Sequence, residues 1–223
     1  DTAVMLQGEA ARSFTVMFLQ LWSADLRSPE YHKFVTAPVP ERQAAGFVMP
    51  YSDSPLDNDR VGEQVYIDLL NRAKKYVHIM TPYLILDGEM ENALKFAAER
   101  GVDVRLILPG IPDKRTIYAL SRSYYRELLD AGVKIYEYTP GFVHAKVMLS
   151  DDRHGVVGTI NLDYRSLYLH FENNVVLYRC DAVKQMEQDF KIMFPVCREM
   201  TESYRSVSLR IWQCILRLFA PLM

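Results

Sequence analysis

Cysteine is scarce in this 223-residue chain, and the three present exclude a good deal. Cys180, Cys197 and Cys214 are odd in number and widely spaced. They form no C-x-x-C, and no Cys/His pair has zinc-ligand spacing. Reduced thiols in a cytosolic setting are expected, with no disulfide framework, metal or other cofactor. Charge of one sign is also lacking. The formal net charge of −2 argues against a dedicated nucleic-acid binder, which usually carries a basic surplus. No run of eighteen apolar residues occurs, so no transmembrane helix is expected, and no signal peptide opens the sequence. The first residue is Asp1 rather than Met, which reads as the start of a processed or excised piece. No internal repeat is visible.

What is present describes a globular α/β chain. Hydrophobic residues make up 49% and charged residues 24%, enough for one sizeable core. Helical periodicity runs over Glu9–Leu26, Val61–Lys75, Gly88–Arg100, Thr116–Asp130 and Asp181–Phe194. Strand patterns cover Gly46–Pro50, Tyr76–Met80, Val102–Leu108, Val133–Tyr138, Val143–Ser150, His154–Val157 and Asn174–Tyr178. Ser28–Gln43 reads as a loop and Ser52–Asn58 as a turn. Repeated β-α-β units with antiparallel hairpins at one side predict a mixed β-sheet sandwiched between helices. The expected division is a connecting helix over 1–27, a catalytic lobe over 44–200 and an amphipathic C-terminal helix over 201–223.

The densest chemistry lies in His144-Ala145-Lys146, Asp151 and Gly158-Thr159-Ile160-Asn161, which together read H-x-K-x4-D-x6-G-T-x-N. Strand parity puts His144, Lys146 and Met148 on one face, with Val143, Ala145, Val147 and Leu149 on the other. A lone strand histidine is more often a core residue, and a lone lysine more often an edge residue. Side by side, an imidazole can attack phosphorus or move a proton while the ammonium neutralises phosphate oxygens. Thr159 and Asn161 add uncharged phosphate donors. Parity places Asp151 opposite His144 at the strand end, where a turn role suits it better than proton chemistry.

This pattern resembles the HKD motif of the phospholipase D superfamily. The following text, Asn161-Leu162-Asp163-Tyr164-Arg165-Ser166-Leu167-Tyr168-Leu169-His170-Phe171-Glu172-Asn173, resembles the second HKD motif of bacterial cardiolipin synthases. Thr81-Pro82-Tyr83, Arg100-Gly101-Val102-Asp103-Val104-Arg105 and Ala131-Gly132-Val133-Lys134-Ile135-Tyr136 fit the same family, so the likeness covers nearly the whole chain. Thr159 stands where the superfamily commonly has Ser, and the hydroxyl is kept.

The resemblance implies one phospholipase D-type lobe with catalytic residues His144, Lys146, Asp151 and Glu172, and phosphate donors Lys146, Thr159 and Asn161. Glu172 would be the acid hydrogen-bonded to a catalytic histidine. Asp163, Arg165 and Ser166 are expected to be scaffold. His32, His78, His154 and His170 lack a Lys two residues on and default to structural roles. Cardiolipin synthases resemble a duplicated enzyme, and this chain matches only the second lobe. The opening Asp1–Ala10 resembles the segment just after the first motif. The implied partners are phosphatidylglycerol, cardiolipin and the missing N-terminal lobe, with no nucleic acid. The parent enzyme is expected at the cell membrane, its lobe on the cytoplasmic side.

The tail carries a second signal. Ser206, Arg210, Gln213 and Arg217 form a polar stripe on an otherwise apolar helix. Two placements are open: at a membrane surface with arginines toward headgroups, or docked on protein. Two other functions compete with the lipid reading: a single-motif phosphodiesterase or nuclease completed by homodimerisation, and a non-catalytic module.

Overall fold

A computed structural model of the chain describes residues 1–23, 31–36, 38, 44–201 and 207–222. Much of the expected 28–43 loop lies outside the described residues, as does the Ser206 end of the tail stripe. Ten strands are described: β1 Phe47–Asp53, β2 Tyr76–Met80, β3 Leu84–Ile85, β4 Asp103–Pro109, β5 Lys134–Tyr138, β6 Val147–Ser150, β7 His154–Gly158, β8 Leu162–Asp163, β9 Glu172–Tyr178 and β10 Cys197–Met200. The helices are α1 Glu9–Trp22, α2 His32–Val35, α3 Val61–Arg72, α4 Gly88–Glu99, α5 Arg115–Ser121, α6 Tyr125–Asp130, α7 Tyr164–Tyr168, α8 Asp181–Met193 and α9 Val207–Leu218.

Eight strands form one mixed sheet in the order β1-β9-β7-β6-β2-β4-β5-β10. β2, β4 and β5 run parallel, joined through α4, α5 and α6, as crossover connections require. β6, β7 and β9 form antiparallel pairs. β3 and β8 make a separate two-residue parallel ladder. Helices cover both faces. Leu70, Leu94, Leu106, Leu120 and Leu128 are fully buried in one core, beneath α3 to α6. Val147, Leu149, Val157, Leu177 and Phe190 fill a second, beneath α8. Each such side chain contributes about 1.5–3 kcal/mol on leaving water.

The parity expected for the motif holds. Val143, Ala145, Val147 and Leu149 all enter the second core, and Met148 the first. The strand itself is shorter than expected, beginning at Val147 rather than Val143. Val147 pairs with Met80 on one side and Val157 on the other, and both neighbouring strands end beside it. His144 and Lys146 therefore continue the strand direction past the sheet's edge.

The helix expected over Thr116–Asp130 is two, α5 and α6, broken at Arg122–Tyr124. Arg122 lies 3.2 Å from the fully buried Glu137 carboxylate, which also pairs with Arg198. Arg122, at the break, thus helps to pair a buried charge that would cost several kcal/mol if left alone.

Candidate active site

The site lies where β6 begins and where β2, β7 and the parallel strands end, the usual ligand end of such sheets. A cavity of about 540 Å³ is lined by Asp1, Thr2, Ala3, His144, Lys146, Gly158, Thr159 and Asn161. Four of the six candidate residues thus share one space.

His144 and Lys146 meet as their spacing predicts. The Lys146 ammonium is 3.0 Å from His144 Nδ1 and 3.1 Å from Nε2, and donates to the His144 carbonyl oxygen. Near-equal distances to both ring nitrogens place the cation against the ring, not on either lone pair's axis. His144 is half exposed, and its Nδ1 lies 3.2 Å from Asp1 Oδ2. Lys146 is buried, at 8% exposure. Burial pushes its pKa down to about 8, against the pull of Glu172 and Asp163. The His144 pKa is lowered too, first by desolvation and then by the Lys146 charge.

Thr159 and Asn161 sit on the turn after β7, and the turn is tightly held. The Asn174 side-chain oxygen accepts from the backbone N–H groups of Thr159 (2.8 Å) and Ile160 (3.2 Å). The Thr159 hydroxyl accepts from the Asn173 N–H at 3.0 Å and lies 3.2 Å from the Asn173 carbonyl oxygen. Gly158 is required here, because a Cβ would fall 2.4 Å from the Asn173 carbonyl oxygen. The Asn161 N–H donates to Ser166 Oγ at 2.8 Å. Its buried side-chain oxygen has no partner among the described residues.

Glu172 is buried on the same side, but it is not joined to His144. It accepts from Ser166 Oγ at 2.6 Å and lies 3.5 Å from His170 Nδ1. The short helix α7 explains this. Asp163 caps it by accepting from the Ser166 N–H, and the turn delivers Ser166 and His170 to the start of β9. Glu172 reaches the His144–Lys146 pair through Lys146, whose charged form it favours.

Asp151 stands apart from the cavity that His144 and Lys146 line. It follows the far end of β6, five residues or roughly 17 Å along the chain from Lys146. Its carboxylate accepts from the N–H groups of Lys74, Lys75 and Tyr76 at 2.8, 2.8 and 3.0 Å. Asp151 and Asp152 both have left-handed backbone (φ 54° and 55°), making the tight β6–β7 turn. It ties that hairpin to the start of β2.

Sequence reasoning missed Asn174, treated Ser166 as scaffold and gave His170 a structural role. Strand parity was the available signal for Asn174, two residues from Glu172 on β9. The Asp163-x-x-Ser166 capping spacing was the signal for Ser166. Among the described residues, no group of three or more His, Cys, Asp or Glu is placed to hold a metal ion.

The family profile described as "Cardiolipin synthase, PLD-like domain" matches residues 66–194. The chain belongs to this family. Cardiolipin synthase 2 of Bacillus cereus is 39% identical over all of this chain and 44% of its own length. A cardiolipin synthase of Geobacillus is 37% identical, again over the whole chain, and 45% of its own length. The chain thus spans less than half the length of these two relatives. Among solved structures, phosphatidylserine synthase of Haemophilus influenzae aligns with TM-score 0.61 and 20% identity, over 78% of this chain and 45% of that one. The phospholipase D family member Nuc of Salmonella typhimurium aligns with TM-score 0.59 and 17% identity, over 72% of this chain and 99% of that one. Both share the fold: a large mixed sheet flanked by helices.

Proposed function

We propose that this chain is the second catalytic half of a cardiolipin synthase. It would transfer a phosphatidyl group between two phosphatidylglycerol molecules, releasing glycerol. The observation that carries the reading is the packing of the Lys146 ammonium on the His144 ring, inside a cavity that Thr159 and Asn161 also line. A half-exposed imidazole beside a buried cation suits attack on a phosphodiester and neutralisation of its oxygens.

In the proposed sequence one histidine nitrogen bonds to phosphorus, and the bond from phosphorus to the glycerol oxygen breaks. A second histidine gives that oxygen its proton. The same group then takes the proton of the incoming phosphatidylglycerol hydroxyl. The hydroxyl oxygen displaces the histidine, leaving cardiolipin. His144 fills one of the two histidine roles, and a preceding lobe supplies the other. Lys146, Thr159 and Asn161 form half of the charge-stabilising set. The work takes place at the cell membrane, with the lobe on its cytoplasmic side.

As a monomer the chain is expected to be catalytically deficient, because losing a positioned acid or base costs about 10²–10⁴-fold. Supplying the first lobe should restore cardiolipin formation from phosphatidylglycerol, followed by mass spectrometry. His144→Ala should abolish it in the reconstituted enzyme. Full turnover by the lone chain, at concentrations where light scattering reports monomer, would overturn the half-site reading. The whole-chain likeness to cardiolipin synthases does not favour the phosphodiesterase alternative.

A further inference from the structure

Of the two placements open for the tail helix, the side that carries Gln213 and Arg217 is docked on protein. Gln213 is buried and donates to the Ala119 carbonyl oxygen at 2.9 Å. Arg217 reaches Ser123 Oγ at 3.1 Å and pairs with Glu127 at 2.9 Å. Leu216 and Ala220 are buried beside them. Gln213 and Arg217 are therefore the fastening, and a broad apolar side points out. Ile211, Trp212, Ile215, Leu218, Phe219 and Leu222 are 42–78% exposed. Successive residues 211, 215, 218 and 222 form one helical stripe, with Trp212 and Phe219 alongside. So large an apolar patch on a charged, soluble-type fold marks an interaction surface.

Charge selects the partner. Gln213 contacts Ala119, and Arg217 contacts Ser123, so α9 runs alongside α5 in the same direction. Four residues back along both helices, the start of α9 comes level with Arg115. Lys114 and Arg115 are exposed, and neither has an ion-pair partner among the described residues. A separate apolar feature lies nearer the active site. Ile111 and Phe142, 47% and 37% exposed, line a cleft on the loop before α5. The Phe142 ring lies 6.2 Å from that of His144.

We propose that the outward face of α9, with Lys114 and Arg115 at its edge, docks on an anionic phospholipid bilayer. This deepens the lipid reading of the site and rests on it for its purpose. Apolar residues around an interfacial Trp enter the headgroup boundary, while neighbouring cations draw on the surface charge. Among the described residues no helix is long and apolar enough to cross a membrane, so this contact lies on the surface.

The test is flotation of the chain with vesicles of phosphatidylglycerol and phosphatidylcholine, against phosphatidylcholine alone. Ile211→Gln, Ile215→Gln and Leu218→Gln together should weaken partitioning by about 100-fold or more, at about tenfold per apolar side chain. The melting curve should not change, because all three are exposed. Lys114→Ala with Arg115→Ala should weaken it several-fold at low salt and little at high salt. In a Trp22→Phe background, brominated phospholipid should quench Trp212, which tests the unsubstituted face directly. Equal flotation of the triple variant and the parent, or an unquenched Trp212, would overturn the proposal. So would self-association abolished by the same substitutions without flotation, which would assign the face to a second copy. Flotation without phosphatidyl transfer in the reconstituted enzyme would sink the reaction reading alone.

Discussion

Replacing Lys146 with Met tests the site's electrostatics most directly. Met keeps an unbranched apolar side chain of similar length and removes the ammonium. That ammonium is buried against the His144 ring, with a pKa held near 8 by desolvation. A charge-assisted hydrogen bond to an anion is worth about 1.5–3 kcal/mol, so Lys146→Met should weaken phosphodiester binding roughly 10- to 100-fold while the lysine is charged. Dimethyl phosphate is a suitable probe, because it stays a monoanion throughout, and NMR shift titration can follow weak binding. At about pH 6.5 the lysine is protonated and the full penalty should appear. At about pH 9.5 it is mostly neutral. Bound anion pulls the pKa up by linkage, by about one unit per tenfold gain in affinity, so a few-fold difference should survive there. An ordinary lysine would keep the full penalty at both pH values. Equal penalties would therefore refute the depressed pKa, and no penalty at either would refute the phosphate role. Stability gives a second check with a definite sign. The folded pKa is lowered from 10.5 to about 8, so the unfolded chain binds more protons between those values. Stability from this group should rise with pH across that window, and Lys146→Met should lack the rise.

The sequence made the sheet and its parity legible because apolar alternation is a local signal. Val143, Ala145, Val147 and Leu149 occupy one core because every second residue must, whichever helices cover it. The limits of the ladder were not legible. Whether His144 belongs to a strand depends on where β2 and β7 end, and a strand has no ladder without a neighbour. The break between α5 and α6 was no more legible. No Gly or Pro marks Arg122–Tyr124; the contact made there is with Glu137, buried on another element. Within the site, His144 and Lys146 could be read as a pair because two residues of extended chain bring them together. Glu172 could not be placed the same way, since α7 decides which histidine and which hydroxyl meet it. Asp151 shows that spacing and role are separate: its parity and turn chemistry pointed away from catalysis, although it belongs to the motif. The tail stripe was legible as amphipathic, but its direction was not. Only Ala119, Ser123 and Glu127 reveal that Gln213 and Arg217 face inward.

Three further substitutions separate scaffold from chemistry. Asp151→Asn keeps a residue tolerant of left-handed backbone but weakens three N–H contacts, so thermal unfolding should show a loss of about 1–2 kcal/mol with phosphodiester binding unchanged. The parent's Asp151 pKa is lowered, so this stabilisation is present above the unfolded pKa and lost as pH falls through the folded one; Asp151→Asn should lack that acid-side loss. Gly158→Ala should cost about 2–4 kcal/mol by denaturant titration, since its Cβ would strike the Asn173 backbone and Asn174 Oδ1. Ser166→Ala is the sharpest of the three, because this buried hydroxyl serves two partners at once. It donates to Glu172 Oε1 at 2.6 Å and accepts from the Asn161 N–H at 2.8 Å. Its loss leaves both without that partner, at about 1–3 kcal/mol each, or roughly 4–24 °C of melting temperature for a chain of this size. Phosphodiester binding should weaken as well in the protein that remains folded, because the Asn161 loop loses its anchor to β9. His170, 3.5 Å from the same carboxylate, is placed to take over the Glu172 half of the network, but it cannot accept from the Asn161 N–H as a protonated ring. An unchanged melting temperature together with unchanged affinity would show that the Ser166 bridge does not hold the phosphate-binding turn.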